Sequence, residues 1–182
     1  MNYYVIQVQT QGEESFMKLA DEQLADADVK LSWPRRALTI RRAGRLRETL
    51  APLFPGYVFL EAEEVTIDVY WALRRTPGFY RFLESNTDIR PLEREERQLV
   101  MHFLSFGEIV RKSQVVFDAN SRIQVVGGPL EGLEGLIVKV DKRKGRAKVR
   151  LDLYSNSFLV DLGFDILSVE KTADRKVRSS EE

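Results

Sequence analysis

Residues 50–63 have the sequence LAPLFPGYVFLEAE. The Pro55-Gly56 pair is a turn signal, and it stands directly before an apolar run at residues 57–60 that predicts a core strand. Three aromatic residues lie around this entrance: Phe54, Tyr57 and Phe59. The entrance therefore has two interpretations, either the turn that begins a core strand or the rim of a surface onto which a partner docks.

Strand and helix patterns alternate on both sides of this stretch, through residues 1–106. Aromatic and β-branched residues predict strands at Tyr3–Val8, Val29–Trp33, Tyr57–Leu60 and Phe79–Leu83. Helical spacing predicts helices at Phe16–Leu24, after the Thr66 cap, and from Pro91 to about Phe106. This alternation predicts an α/β sandwich with a mostly antiparallel sheet.

The sequence after about residue 115 has short β-type runs and no competing helical period. These runs are Ser121–Val126, Leu136–Val140, Ala147–Leu153 and Phe158–Leu162. About five short strands in so few residues favour a small closed barrel, because closure hides the strand edges. The fold class is therefore α+β. The expected division is a domain at 1–106, a linker at 107–116, a barrel at 117–171 and a polar, disordered tail at 172–182.

Composition excludes several classes of function. Lys plus Arg and Asp plus Glu number 28 each, so any electrostatic function requires local segregation of charge. The chain has no cysteine, which fits a reducing cytoplasm, and it carries no signal-peptide or membrane-spanning pattern. His102 is the single histidine. Pairs of acidic residues such as Glu13-Glu14 fit the exposed surfaces of helices. No catalytic or metal-binding motif occurs, so we expect no enzyme activity and no cofactor or metal.

Two segments concentrate positive charge. In residues 136–154, strand alternation predicts a buried face formed by Val138, Val140, Val149, Leu151 and Leu153. The remaining basic side chains then share the outer face and the hairpin tip. They suit either contact with nucleic-acid phosphates or a solvated hairpin that resists aggregation. The arginine-rich segment 35–47 has the same two functional alternatives, phosphate contact or a solvated surface. Its sequence predicts an extended hairpin or a mobile loop, with Ala43-Gly44 as a turn.

Specific motifs resemble a known family. The stretches YYVIQVQT (3–10), PLFPGYVFLE (52–61) and LRRTPGFYRFL (73–83) resemble the NGN domain of the NusG family of transcription elongation factors. The stretch IQVVGGPLEGLEGLIVKVDKRKGRAKVRLDL (123–153) resembles a KOW domain, an SH3-like barrel whose turn glycines here are Gly128, Gly132 and Gly135. We expect these glycines to supply backbone angles that other residues resist.

The resemblance implies a monomeric, non-enzymatic factor that binds the clamp helices of the largest RNA polymerase subunit. The polymerase-binding residues implied are Tyr4, Leu53, Phe54, Tyr57, Arg74, Arg75 and Phe79. The residues implied to bind a nascent RNA hairpin are Lys139, Lys142, Arg143, Lys144, Arg146, Lys148 and Arg150. A partner-binding loop is implied at Tyr154, Ser155 and Asn156, within YSNSFLVDLGF (154–164). This loop departs from the common family loop, so the resemblance favours a LoaP-type antiterminator over a factor that binds Rho or NusE.

Two alternatives remain open at this stage. One is a general NusG that acts on most genes with Rho or NusE. The other is a KOW-type RNA-binding protein of the ribosome. The dense Val, Ile and Gly content of the C-terminal region favours strands over the helical hairpin known in the RfaH paralog.

Overall fold

The computed structural model describes residues 1–83, 85–154 and 156–167 of the 182-residue chain. The N-terminal domain consists of β1 (Asn2–Val8), α1 (Glu13–Gln23), β2 (Lys30–Ser32), β3 (Arg35–Arg42), β4 (Arg45–Pro52), β5 (Tyr57–Ala62), α2 (Ile67–Arg75), β6 (Phe79–Phe82), α3 (Arg94–Leu104) and β7 (Ile109–Val110). The C-terminal domain consists of β8 (Ser113–Phe117), β9 (Ile123–Gly127), a 3-10 turn (Glu134–Leu136), β10 (Ile137–Asp141), β11 (Arg146–Leu153) and β12 (Asn156–Ile166). The α+β fold class is confirmed.

The N-terminal sheet has the strand order β2-β5-β1-β6, and its pairs are antiparallel. Alternation along β1 divides its side chains between two cores. Ile6 and Val8 pack with the buried faces of α1 and α2, whereas Val5 belongs to the core that contains Val100 and Phe103 of α3. The helices therefore cover opposite faces of one sheet, and Phe54 lies on the α3 side.

The arginine-rich segment forms the β3–β4 hairpin and not a mobile loop. Its register runs from Arg35 opposite Pro52 to Arg42 opposite Arg45. Ala43 and Gly44 make the turn with φ values of 50° and 76°, the conformation that suits tight hairpins. β7 pairs in parallel with the start of β3, which ties the end of the N-terminal domain to this hairpin.

The C-terminal sheet has the order β10-β11-β12-β8-β9, with a parallel pair between β12 and β8. Alternation in β11 buries Val149, Leu151 and Leu153 as expected. The prediction that Val138 is buried was wrong. A register shift between Ile137 and Lys139 turns its side chain outward, and it is 55% exposed. The first strand of this sheet, β8, begins inside the segment assigned to the linker, and residues 172–182 lie outside the described residues.

One hydrophobic cluster continues from one domain into the other. It joins Phe54 and Phe103 of the N-terminal domain with Leu130, Val149 and Phe164 of the C-terminal domain. All five side chains are at most 1% exposed. The two domains are therefore closed against each other through a common core.

Candidate docking site

The entrance of β5 is built around Gly56. Its φ is 79°, its N–H donates to the Glu13 carboxylate at 2.8 Å, and its carbonyl accepts from the Val8 N–H at 2.8 Å. A Cβ at this position would lie 2.9 Å from Thr10 Oγ1, so the close approach requires glycine. Glu13 is 2% exposed, contrary to the expected helix-surface position, because its carboxylate accepts this buried amide.

Phe54, Tyr57 and Phe158 form what we call the aromatic junction. The Phe158 ring lies edge-on to Phe54 at 5.5 Å and to Tyr57 at 5.3 Å between centroids. Phe54 also contacts Phe59 at 5.4 Å and Phe103 at 6.2 Å. Phe54 is 1% exposed. The C-terminal domain therefore covers Phe54 and Tyr57, two of the three aromatic side chains around the entrance of β5.

The role of Phe158 was missed from the sequence. It is in phase with Val160 and Leu162, which are buried along β12, so alternation alone assigns it to the core of its own domain. Its contact with the other domain depends on how the two domains meet. The one available signal was an aromatic residue near the start of β12, and that signal does not identify what the ring contacts.

Helix α3 provides polar contacts across the same interface. Glu93 and Glu96 form a capping box at its start, and the Glu96 carboxylate also accepts the Tyr154 N–H at 2.5 Å. Near its end, His102 Nε2 lies 2.8 Å from the Pro129 carbonyl, to which it donates. These two contacts hold opposite ends of α3 against the C-terminal domain.

The predicted polymerase-binding set is divided by the sheet. Leu53, Phe54 and Tyr57 face the C-terminal domain, in the core that includes α3. The other members lie on or beside the opposite face: Tyr4 and Phe79 pack in the core under α1 and α2, and Arg74 and Arg75 belong to α2. The two arginines lie over the Trp71 ring at 5.2 and 5.8 Å. Strand alternation separates Tyr4 from the junction, because its neighbours Tyr3 and Val5 face the other way.

The predicted RNA-binding residues lie together on the β10–β11 hairpin, and several have acidic or aromatic neighbours. Lys139 pairs with Lys148 across the two strands, and Lys148 lies 3.5 Å from the Asp161 carboxylate. Lys142 lies 3.9 Å from the Phe117 ring centre. Further close contacts join Lys144 to Asp141 and Arg150 to Asp152, each at 3.8 Å. The pKa of Asp141 is lowered chiefly by the hydrogen bond from the Lys144 backbone N–H; desolvation opposes this effect, and the charges of Lys144, Arg143 and Lys139 each lower the pKa a little further.

The predicted partner loop has a strained start. Tyr154 has a φ of 51°, and its hydroxyl donates to the Arg90 carbonyl at 3.2 Å. Asn156 begins β12 opposite Leu153, while Ser155 lies outside the described residues. Tyr154 and its N–H therefore contribute to the domain interface.

No helix in the described part of the chain is long and apolar enough to cross a membrane. Among the described residues, no group of three or more His, Cys, Asp or Glu side chains is placed to hold a metal ion.

Comparisons with known proteins relate the chain to one family. The family model described as transcription termination factor NusG matches residues 1–101. The chain is 27% identical over 134 residues to the transcription termination/antitermination protein NusG of Thermus thermophilus, covering 69% of this chain and 71% of the relative. It is 26% identical over 172 residues to the protein of the same name from Bacillus subtilis, covering 90% and 95%.

A solved structure concerning domain interaction in Thermotoga maritima NusG covers 89% of this chain and 93% of that one, with 22% identity and a TM-score of 0.53. That likeness supports the fold of both domains. The family match spans more than half of the chain, from β1 into α3. The chain belongs to the NusG family and is a transcription termination/antitermination factor, not an enzyme.

Proposed function

We propose that the chain binds the clamp helices of RNA polymerase through the entrance of β5 and promotes processive antitermination. The observation that carries the proposal is the aromatic junction. There, Phe54 and Tyr57 of the N-terminal domain contact Phe158 of the C-terminal domain. Aromatic side chains in a depression commonly dominate interface energies. Docking then requires Phe158 to move away, so the closed form is inactive.

The interface between the two domains has the properties of one that can open. No cysteine is present to fix it, and its polar contacts include two neutral backbone groups, the Pro129 carbonyl and the Tyr154 N–H. Among the described residues, the five strands of the C-terminal domain pair with one another and with no strand of the N-terminal domain. Separation therefore exposes a docking surface while the sheet of the C-terminal domain stays paired.

Tyr57→Ala is expected to weaken polymerase binding about thirtyfold, because a central aromatic contact contributes about 2 kcal/mol. The substitution also removes a closing contact with Phe158. It is therefore measured in a chain that carries Phe158→Ala, by fluorescence titration with core RNA polymerase.

Tyr70→Ala in the same background is the matched control. Tyr70 is likewise half-buried, but it lies on α2, against the opposite face of the sheet. Equal affinities for the two variants, or no polymerase binding by any of them, contradict docking through β5.

The C-terminal domain, in this proposal, contacts phosphates of nascent RNA through the exposed tip of the β10–β11 hairpin. Arg143→Glu is expected to weaken binding of an RNA hairpin about tenfold at low salt and to lower the salt slope by about one. Gel-shift titrations at several salt concentrations measure both quantities. Arg122→Glu, an equally exposed change in the β8–β9 turn, serves as control. The same loss with both variants indicates only a general charge effect and removes the hairpin assignment.

A further inference from the structure

The two domains meet with an excess of positive charge where β3 approaches β11 and β12. Arg36 of β3 and Arg146 of β11 are close enough to repel each other, and the Asp161 carboxylate of β12 attracts Arg36. Lys148 adds a third cation, 3.5 Å from the same carboxylate. Arg36 and Lys148 thus share the Asp161 carboxylate, and Arg146 adds a third positive charge near Arg36. These three cations and one carboxylate carry a net positive charge, which burial makes costly when the domains close.

The two arginines also have unused donors. The Nε atoms of Arg36 and Arg146 are buried and have no hydrogen-bond partner among the described residues. Each of them also donates to a neutral backbone carbonyl: Arg36 to Pro52, and Arg146 to Thr39 at 2.7 Å. Burial lowers the pKa of Arg36, an effect that Asp161 opposes only in part. An anion would neutralise this charge.

A cleft lies beside these groups on the C-terminal domain. We call it the seam cleft; it has a volume of about 140 Å³ and is lined by Lys139, Asp141, Lys144, Arg146, Lys148 and Asp161. Its four cations exceed its two carboxylates, and Arg36 adds to that excess from across the interface. Lysine and arginine side chains are the common ligands of phosphate groups.

We propose that the seam cleft binds one phosphate group and that the bound phosphate holds the two domains together. Arg36 can contribute only in the closed form, since it belongs to β3 and the cleft belongs to β10–β12. Phosphate therefore binds the closed form more tightly and shifts the population toward it. This regulation does not depend on polymerase docking, because it concerns the two domains of one chain.

The test follows the distance between the domains in the full-length chain. Because the chain has no cysteine, Glu22→Cys and Asn120→Cys give two unique positions for fluorescent labels, one on α1 and one in the β8–β9 turn. Inorganic phosphate is titrated at constant ionic strength against chloride, in a labelled parent chain that also carries Phe158→Ala so that the open form is populated. Energy transfer is expected to rise to a plateau, with an apparent affinity that Lys148→Gln weakens about tenfold.

Two further variants make the result specific. Lys18→Gln, an exposed change on α1, is expected to leave the phosphate response unchanged. Asp161→Asn removes the competing carboxylate, so it is expected to tighten phosphate binding severalfold, a gain that misfolding does not produce. Identical phosphate responses of the labelled parent chain and of its Lys148→Gln and Lys18→Gln variants overturn the proposal, as does a fall in energy transfer with phosphate.

The source of the phosphate is resolved by a second titration. Two RNA oligomers of the same sequence are compared, one with a 5′-phosphate and one with a 5′-hydroxyl. Closure by the 5′-phosphorylated oligomer alone supports a terminal or free phosphate. Equal closure by both supports an internal phosphate of the RNA strand. No closure by either oligomer, with closure by inorganic phosphate, supports a free anion as the ligand.

Discussion

Phe158→Ala is expected to raise the apparent affinity for RNA polymerase by about tenfold or more. Phe158 supplies the ring contacts that cover Phe54 and Tyr57 in the closed form. Truncation of this ring is expected to weaken closure by about 2 kcal/mol. This is less than for a fully buried phenylalanine, because part of the Phe158 side chain is exposed. If the closed form predominates, each 1.4 kcal/mol transferred to the open form increases the binding-competent fraction about tenfold.

The measurement is a titration with core RNA polymerase, together with energy transfer between labels on the two domains. Leu159→Ala is the control, because Leu159 is the next residue of β12 and is 61% exposed. The variant Phe158→Ala is expected to open the domains and to bind more tightly, whereas Leu159→Ala does neither. Opening without a gain in affinity would mean that the covered surface is not the docking surface.

Much of the fold was accessible from the sequence because local patterns determine it. The turn at Pro55-Gly56 and the apolar run after it identify β5, and alternation in β11 identifies the buried face of the C-terminal domain. The basic hairpin tip was also located, since its turn residues lie between two clear strands. Patterns of this kind report which face of an element is buried. They do not report what covers that face.

The remaining features depend on contacts between distant segments. Phe54 satisfies the requirements of a core residue and of an interface residue equally well, so its sequence cannot show that Phe158 lies against it. Val138 was misplaced because a bulge shifts the register of β10, and no residue in the run signals it. β8 was assigned in part to the linker because its pairing with β12 is parallel and long-range, which leaves no hairpin signal.

The divided site illustrates the same limit. Tyr4 and Phe54 both belong to motifs that resemble the family, and both were assigned to one surface. Period-two alternation in β1 turns Tyr4 toward α1 and α2, where it is 5% exposed. A motif therefore identifies a strand more securely than it identifies which of its side chains face a partner.

Gly128→Ala is expected to destabilise the C-terminal domain by about 3 kcal/mol or more. Gly128 has a φ of 96°, and a Cβ there would lie 2.8 Å from the Ser113 Cα, a backbone atom that cannot rotate away. The same turn presents the Leu130 N–H to Ser113 Oγ at 2.9 Å, and Leu130 is fully buried in the core common to both domains. Displacement of Ser113 therefore disturbs β8 and this core together. Chemical denaturation measures the loss.

Gly132→Ala separates the two causes of that loss. Gly132 also has a positive φ, 78°, but a Cβ there meets no atom within 4 Å, so only the backbone conformation opposes the substitution, at about 1 kcal/mol. Gly135 differs from both: it lies in the 3-10 turn without a positive φ, and the expectation of a special angle there was wrong. Equal losses for Gly128→Ala and Gly132→Ala contradict the predicted collision with Ser113. If Gly128→Ala unfolds the C-terminal domain while the N-terminal sheet persists, Phe54 and Tyr57 become exposed, and polymerase binding is expected to rise as it does for Phe158→Ala.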